Sequence, residues 1–269
     1  MMWNVLCGAR WGIAALVLFS SGMVVLRFIY SVWAYLVFVL LLLPASVLYT
    51  LIPLLKPKGY ERAVLYVNNG FAISWGLLTF NRFKVRIPDA VKEMPAGVLV
   101  LNHTSTLDML AASYSLRKAL RILAKKELRR VPLLGYMFSK MCVFVDRSSP
   151  ESRKQSKEVL ASVLAEGTSL CIFVEGTRNR TGKPLGKFYE GGFKLAIQHQ
   201  VPVVPVVLLH ARALMPVDQH LLRPGLLEAV YLDPVPTIGM TEEDSGRLKD
   251  DVWQLMHDYI LEHDKAFRS

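Results

Sequence analysis

Acidic residues are absent from the first 55 positions of this 269-residue chain, which hold only two charges, Arg10 and Arg27. Cysteine is scarce. Cys7, Cys142 and Cys171 form no CxxC pair, which excludes a disulfide framework and a zinc ribbon. No GxSxG elbow and no HExxH pair occurs, so two common hydrolase designs lack their residues. His199, His210, His220, His257 and His263 lie singly without metal-ligand spacing, and no metal is expected. Repeats and low-complexity tracts are also missing, and a hydrophobic share of 52% excludes a disordered chain.

What is present is sorted by region. The net charge is +10 while the mean hydropathy is +0.32. The other 30 basic residues and all 22 acidic ones follow residue 55. Trp11–Leu26 gives 16 uncharged residues, Arg27 interrupts, and Phe28–Leu55 gives 28 more. As helix the second run would span about 42 Å, against the ~30 Å hydrocarbon core of a bilayer. Pro44 and Pro53 can end or kink it. Residues 1–57 are therefore expected to form a membrane-embedded helical pair, a hairpin in one version, with Trp11, Trp33, Tyr35 and Tyr49 as interfacial anchors. A signal peptide fits poorly, because the apolar stretch far exceeds an h-region and no small-x-small site closes it.

Residues 58–269 carry an α/β pattern. Short apolar runs predict strands at Phe83–Ile87, Val98–Leu101, Arg121–Ala124, Cys142–Val145, Leu170–Val174, Val203–Leu208 and Leu227–Tyr231. Helical patterns cover Leu107–Leu116, Pro150–Ala165, Phe188–His199 and Glu242–His263. Alternation of the two predicts a mostly parallel sheet flanked by helices on both faces, with ligands beyond the carboxyl ends of its strands. Three polar clusters fall there: Asn102–Asp108, Asp146-Arg147 and Glu175–Arg180.

His103 lies at a strand-to-helix junction five residues before Asp108. Across such a junction a carboxylate can hold one ring nitrogen and leave the other to take a proton from a hydroxyl. The same residues also read as a capping box, Ser105-x-x-Asp108, serving only the helix start. In the second cluster Gly176 permits close backbone approach, Thr177 offers a hydroxyl and Arg178 a bidentate fork for phosphate. A nucleotide P-loop is excluded: five residues separate Gly176 from Gly182 where the motif has four, and Pro184 stands where a Ser or Thr is needed. Seven basic residues between Arg117 and Arg130 suit an anionic membrane surface, and no nucleic acid is expected as partner.

Together these clusters resemble the glycerolipid acyltransferase family. NHxxxxD matches Asn102, His103 and Asp108. KxEL…PxxG with a strand ending in DR matches Lys125–Leu128, Pro132–Gly135 and Phe144–Arg147. FPEGTR appears as Phe173–Arg178 with Val174 for the usual Pro, and VPxxPV as Val201–Val206. The resemblance implies a membrane-bound O-acyltransferase that moves an acyl group from acyl-CoA or acyl carrier protein to the sn-2 hydroxyl of lysophosphatidic acid, with no tightly bound cofactor. It casts His103 as general base and Asp108 as its orienting partner. Lys126, Arg147, Glu175, Gly176, Thr177 and Arg178 would hold the acceptor, with Pro202 and Pro205 edging the acceptor or acyl channel. The residues that bind the donor are left open. Alternatives are another lysophospholipid or a lyso-ornithine lipid as acceptor, a membrane-tethered binder of anionic lipid, and a hydrolase using Ser105. The expected location is a bacterial inner membrane, with the catalytic domain facing the cytoplasm.

Overall fold

A computed structural model describes residues 2–55, 60–115, 120–146 and 149–267, with side chains described from 22 to 52 and from 62 onward within those ranges. In chain order the elements are α1 Met2–Leu55, α2 Tyr60–Leu78, β1 Arg82–Arg86, α3 Asp89–Glu93, β2 Val98–Leu101, α4 Asp108–Ser115 and β3 Leu120–Lys125. A 3-10 turn, Lys126–Arg130, leads to α5 Leu134–Met141, β4 Cys142–Val145, α6 Pro150–Ala165, β5 Ser169–Phe173 and α7 Gly191–Gln198. Then come β6 Val203–Leu209, α8 Ala211–Leu214, β7 Leu226–Tyr231 and α9 Ser245–His263.

The seven strands form one sheet in the order β1-β7-β6-β2-β5-β3-β4. All neighbours are parallel except β6 and β7. The connection between β6 and β7, residues 210–225, contains only the four-residue α8 as regular structure. Every residue of β2 and β6 is buried, as expected where helices cover both faces. Side-chain alternation splits β2 between two cores. Leu99 and Leu101 join the one under α1, α2, α4 and α5, whereas Val98 and Val100 join the one under α6, α7 and α9. Edge strand β1 alternates instead, and its Lys84 and Arg86 meet the buried Glu228 of β7 at 3.4 and 2.6 Å.

Two expectations are corrected here. The apolar N-terminus is one continuous helix rather than a pair, and its partner is α2, beyond residue 57. Arg27 does not end the helix, because its Nη2 donates to the Leu221 carbonyl at 3.1 Å and to Gln219 at 3.4 Å. Within α1, Ser31, Ala34, Val37, Leu42, Ala45 and Tyr49 form the buried stripe, and the rest of Gly22–Ile52 is a mostly exposed apolar face long enough to cross a bilayer. Tyr49 is fully buried and so is no interfacial anchor; Trp33 and Tyr35 bond the Leu78 and His220 carbonyls, and the side chain of Trp11 lies outside the described residues. The second correction concerns proline. Pro205 is buried in an interior strand, opposite a bulge: Val206 pairs with Tyr231 but Val203 with Val235, one residue more on the facing segment. At that bulge the missing N–H leaves no gap in the ladder. Pro202 accepts from Val98 N at the amino end of β2, away from the polar loops.

Gly135, the last residue of the PxxG block, packs so closely that a Cβ would lie 2.3 Å from the Arg129 carbonyl oxygen. That oxygen is backbone and has little room to yield. Gly135→Ala is expected to cost about 1–3 kcal/mol and displace the Lys126–Arg130 turn, seen as a lowered unfolding midpoint by thermal melting in detergent.

Candidate active site

Strands β2 and β5 pair with Leu101 opposite Phe173, so the loops leaving them begin level with one another. Val174 extends that ladder. Where the family motif has proline, its backbone N–H donates to the Leu101 carbonyl at 3.2 Å. Two residues beyond the register pair stand His103 and Glu175, and the His103 N–H donates to Glu175 Oε1 at 2.9 Å. The other carboxylate oxygen accepts from Gly186 N at 2.8 Å, and a Cβ on Gly186 would fall 2.5 Å from it. Asn102 clamps the same loop to β6, donating to the Leu208 carbonyl and accepting from Leu208 N.

His103 Nδ1 lies 2.9 Å from Asp108 Oδ2, which also accepts from the N–H groups of Thr104 (2.6 Å) and Ser105 (2.7 Å). Asp108 is fully buried at the start of α4, so the capping and the imidazole-orienting roles fall to one oxygen. Its Oδ1 has no partner. The imidazole packs on Phe173 with centroids 4.3 Å apart. Ser105 is committed elsewhere: its buried hydroxyl donates to the Met215 carbonyl at 2.7 Å and accepts from Leu107 N. That leaves it poorly placed to act as a nucleophile toward His103.

His103 lines a cavity of about 790 Å³ bounded by α1, α2, α4, α5, β3 and the loop after β5. Gly176, Thr177 and Arg178 also line it, with Gly176 at φ +69° turning the chain. Arg178 Nη1 donates to Thr106 Oγ1 at 2.7 Å, which fixes the guanidinium beside the His103 loop. Glu175 does not line the cavity; it lies behind the loops and ties them together. Lys126 points away too, 3.0 Å from Asp146. The neighbouring Lys125 and also Arg180 line the wall instead, and spacing alone did not single them out. In a strand, adjacent residues face opposite ways, and Lys125 is the last residue of β3. Arg147 lies outside the described residues.

Beyond the polar mouth the wall is apolar: Phe38 and Leu42 of α1, Phe71 and Trp75 of α2, and Leu134, Met137, Phe138 and Met141 of α5. Among the described residues no cluster of His, Cys, Asp or Glu could hold a metal. Burial pushes the thiols of Cys142 and Cys171 upward, which leaves them weak nucleophiles.

An acyltransferase family model matches residues 82–209. An uncharacterised acyltransferase of Schizosaccharomyces pombe is 34% identical over 186 residues, 68% of this chain and 67% of that protein. The chain belongs to the acyltransferase family. The human protein named 1-acyl-sn-glycerol-3-phosphate acyltransferase beta is 30% identical to this acyltransferase over 207 residues, 74% of each chain. The crystal structure of the 1-acyl-sn-glycerophosphate (LPA) acyltransferase from Thermotoga maritima shares the fold, with a TM-score of 0.76 over 88% of this chain and 96% of that one at 20% identity.

Burial pushes the carboxyl of Glu175 from the usual 4.5 up to about 7, against the pull of its two backbone N–H partners. The folded chain thus holds that proton more tightly than the unfolded chain. The group's stabilising effect is complete below pH 4.5 and is lost as pH rises through about 7. Glu175→Gln removes this titration, so the difference in melting temperature, wild type minus variant, should fall as pH is raised across that window.

Proposed function

We propose that this acyltransferase transfers a fatty acyl group from an acyl thioester to the sn-2 hydroxyl of lysophosphatidic acid, giving phosphatidic acid. The observation that carries the reaction is the 2.9 Å contact between His103 Nδ1 and Asp108, at the edge of a cavity polar at its mouth and apolar within. With Nδ1 engaged, Nε2 takes the hydroxyl proton as the hydroxyl oxygen attacks the thioester carbonyl. The tetrahedral adduct collapses, the C–S bond breaks, and the imidazolium returns its proton to the departing thiolate. Backbone N–H groups near the Gly176 turn are the candidate donors to the oxyanion. Arg178, Thr177, Lys125 and Arg180 hold the acceptor phosphate, with Glu175 positioning their loop. Lys126, paired with Asp146, acts only at longer range.

The acyl chain occupies the apolar part of the cavity, and no tightly bound cofactor takes part. Coenzyme A or acyl carrier protein carries the donor, and the basic surface around Arg129 and Arg130 faces the headgroups of the membrane. The names of the relatives favour lysophosphatidic acid over other lysolipids.

His103→Ala should lower kcat by about 10²–10⁴, the contribution of a positioned base. Arg178→Ala should instead raise KM for lysophosphatidic acid by roughly 10- to 100-fold, as expected for a charged hydrogen bond, and leave KM for acyl-CoA unchanged. Wild-type transfer rates surviving in His103→Ala would remove the mechanism.

The exposed apolar face of α1 lies in a bacterial inner membrane with the sheet on the cytoplasmic side, where Lys- and Arg-rich flanks are retained. Protease added to inverted vesicles should therefore cleave the sheet domain, while right-side-out vesicles protect it. The opposite pattern would reverse the topology.

A further inference from the structure

Among the described residues, none of α9 lines the cavity. Its Leu248, Val252, Met256 and Ile260 pack in the core on the opposite face of the sheet, and the helix follows the family-matched residues 82–209. Trp253 of α9 nonetheless reaches the catalytic loops. This half-buried side chain donates from Nε1 to the Gly186 carbonyl at 2.9 Å. The Gly186 N–H donates in turn to Glu175 Oε2 at 2.8 Å, and Glu175 Oε1 accepts from the His103 N–H at 2.9 Å. The His103 carbonyl is held from the same loop, accepting from Asn179 N at 2.6 Å. Both peptide groups of His103 are therefore bonded to the segment that follows β5, and α9 braces that segment at Gly186.

We propose that Trp253 is a positioning residue for His103, acting from α9 through Gly186 and Glu175. The inference rests on the proposed role of His103 as general base. Gly186 has no side chain with which to hold its place, and a Cβ there would fall 2.5 Å from Glu175 Oε2. Buried Leu185 and Phe188 anchor the chain on either side, and the indole N–H fixes the carbonyl of the glycine between them. Without that bond the freedom of a glycine backbone lets Gly186 N drift from the carboxylate. Glu175 is buried, so an oxygen that loses its donor is costly, and the carboxylate turns to regain one. The His103 N–H is bonded to the same carboxylate and moves with it. A misplacement near 1 Å at a reacting group can cost about 100-fold in rate, so a small displacement of the imidazole is enough to show.

The test is a double-mutant cycle on the full-length protein in phospholipid vesicles, with palmitoyl-CoA and lysophosphatidic acid as substrates. Trp253→Phe keeps an aromatic ring to stack on His257 but removes the N–H. Its kcat should fall about three- to tenfold, the worth of one hydrogen bond, with KM for both substrates unchanged. Glu175→Gln interrupts the same chain one step nearer His103, because the amide offers one acceptor oxygen in place of two. In that background Trp253→Phe should lower kcat by less than about twofold, since the two substitutions act through one set of contacts. A helix that only stabilises the fold would give the same factor in both backgrounds, or a lower melting midpoint with kcat intact. Either result overturns the proposal, as does a rise in KM at constant kcat. Trp253→Tyr also lacks the indole N–H and serves where Trp253→Phe folds poorly. Wild-type transfer rates in His103→Ala would instead remove the functional reading beneath it.

Discussion

Leu101 faces Phe173 across the β2–β5 ladder, and the geometry of the cavity mouth depends on that register. A shift by one residue would send every side chain of the strand to the other face. In the observed register, the loop bearing His103 and the loop bearing Arg178 leave the sheet side by side, and one buried carboxylate, Glu175, bonds into both. Asn102 adds the third tie, to β6. The imidazole is thus held through its backbone by two strands and through its ring by Asp108. The reactive group is fixed by elements whose first task is to complete the sheet.

Much of this was legible in the residues. Fully apolar runs such as Val98–Leu101 mark interior strands because both faces are covered, and the seven predicted strands all form within a residue or so of their expected ends. The His103–Asp108 spacing was ambiguous for a physical reason: a carboxylate at the first turn of a helix can cap the backbone or orient a side chain, and here one oxygen does both. The side toward which Lys125 or Lys126 points was not legible, since it depends on where β3 ends. Nor was the continuity of α1, because the groups that Arg27 Nη2 bonds lie more than 190 residues away in sequence. Helix α2 escaped notice through its mixed composition, with Asn68, Asn69 and Gly70 in mid-helix, where propensity argues against it.

Helix α1 serves two environments at once. One stripe closes the cavity over α2, while the opposite face is exposed and apolar along most of Gly22–Ile52. Substitutions along this helix therefore divide by angular position. Those near Phe38 and Leu42 change the shape of the interior, and those near Leu36, Val39 and Leu43 change only the outer face.

The ties that hold the His103 loop span 72 residues to Glu175, 106 to Leu208 and 110 to Met215. Each closes a long loop, whose entropy must be met before the contact can reward it. During synthesis α1 emerges first, but the catalytic loop has no complete set of partners until Met215 has been made and β6 has entered the sheet between β2 and β7. Anchoring and competence are thus separated in time, with a greasy helix committed well before the chemistry it serves can be assembled.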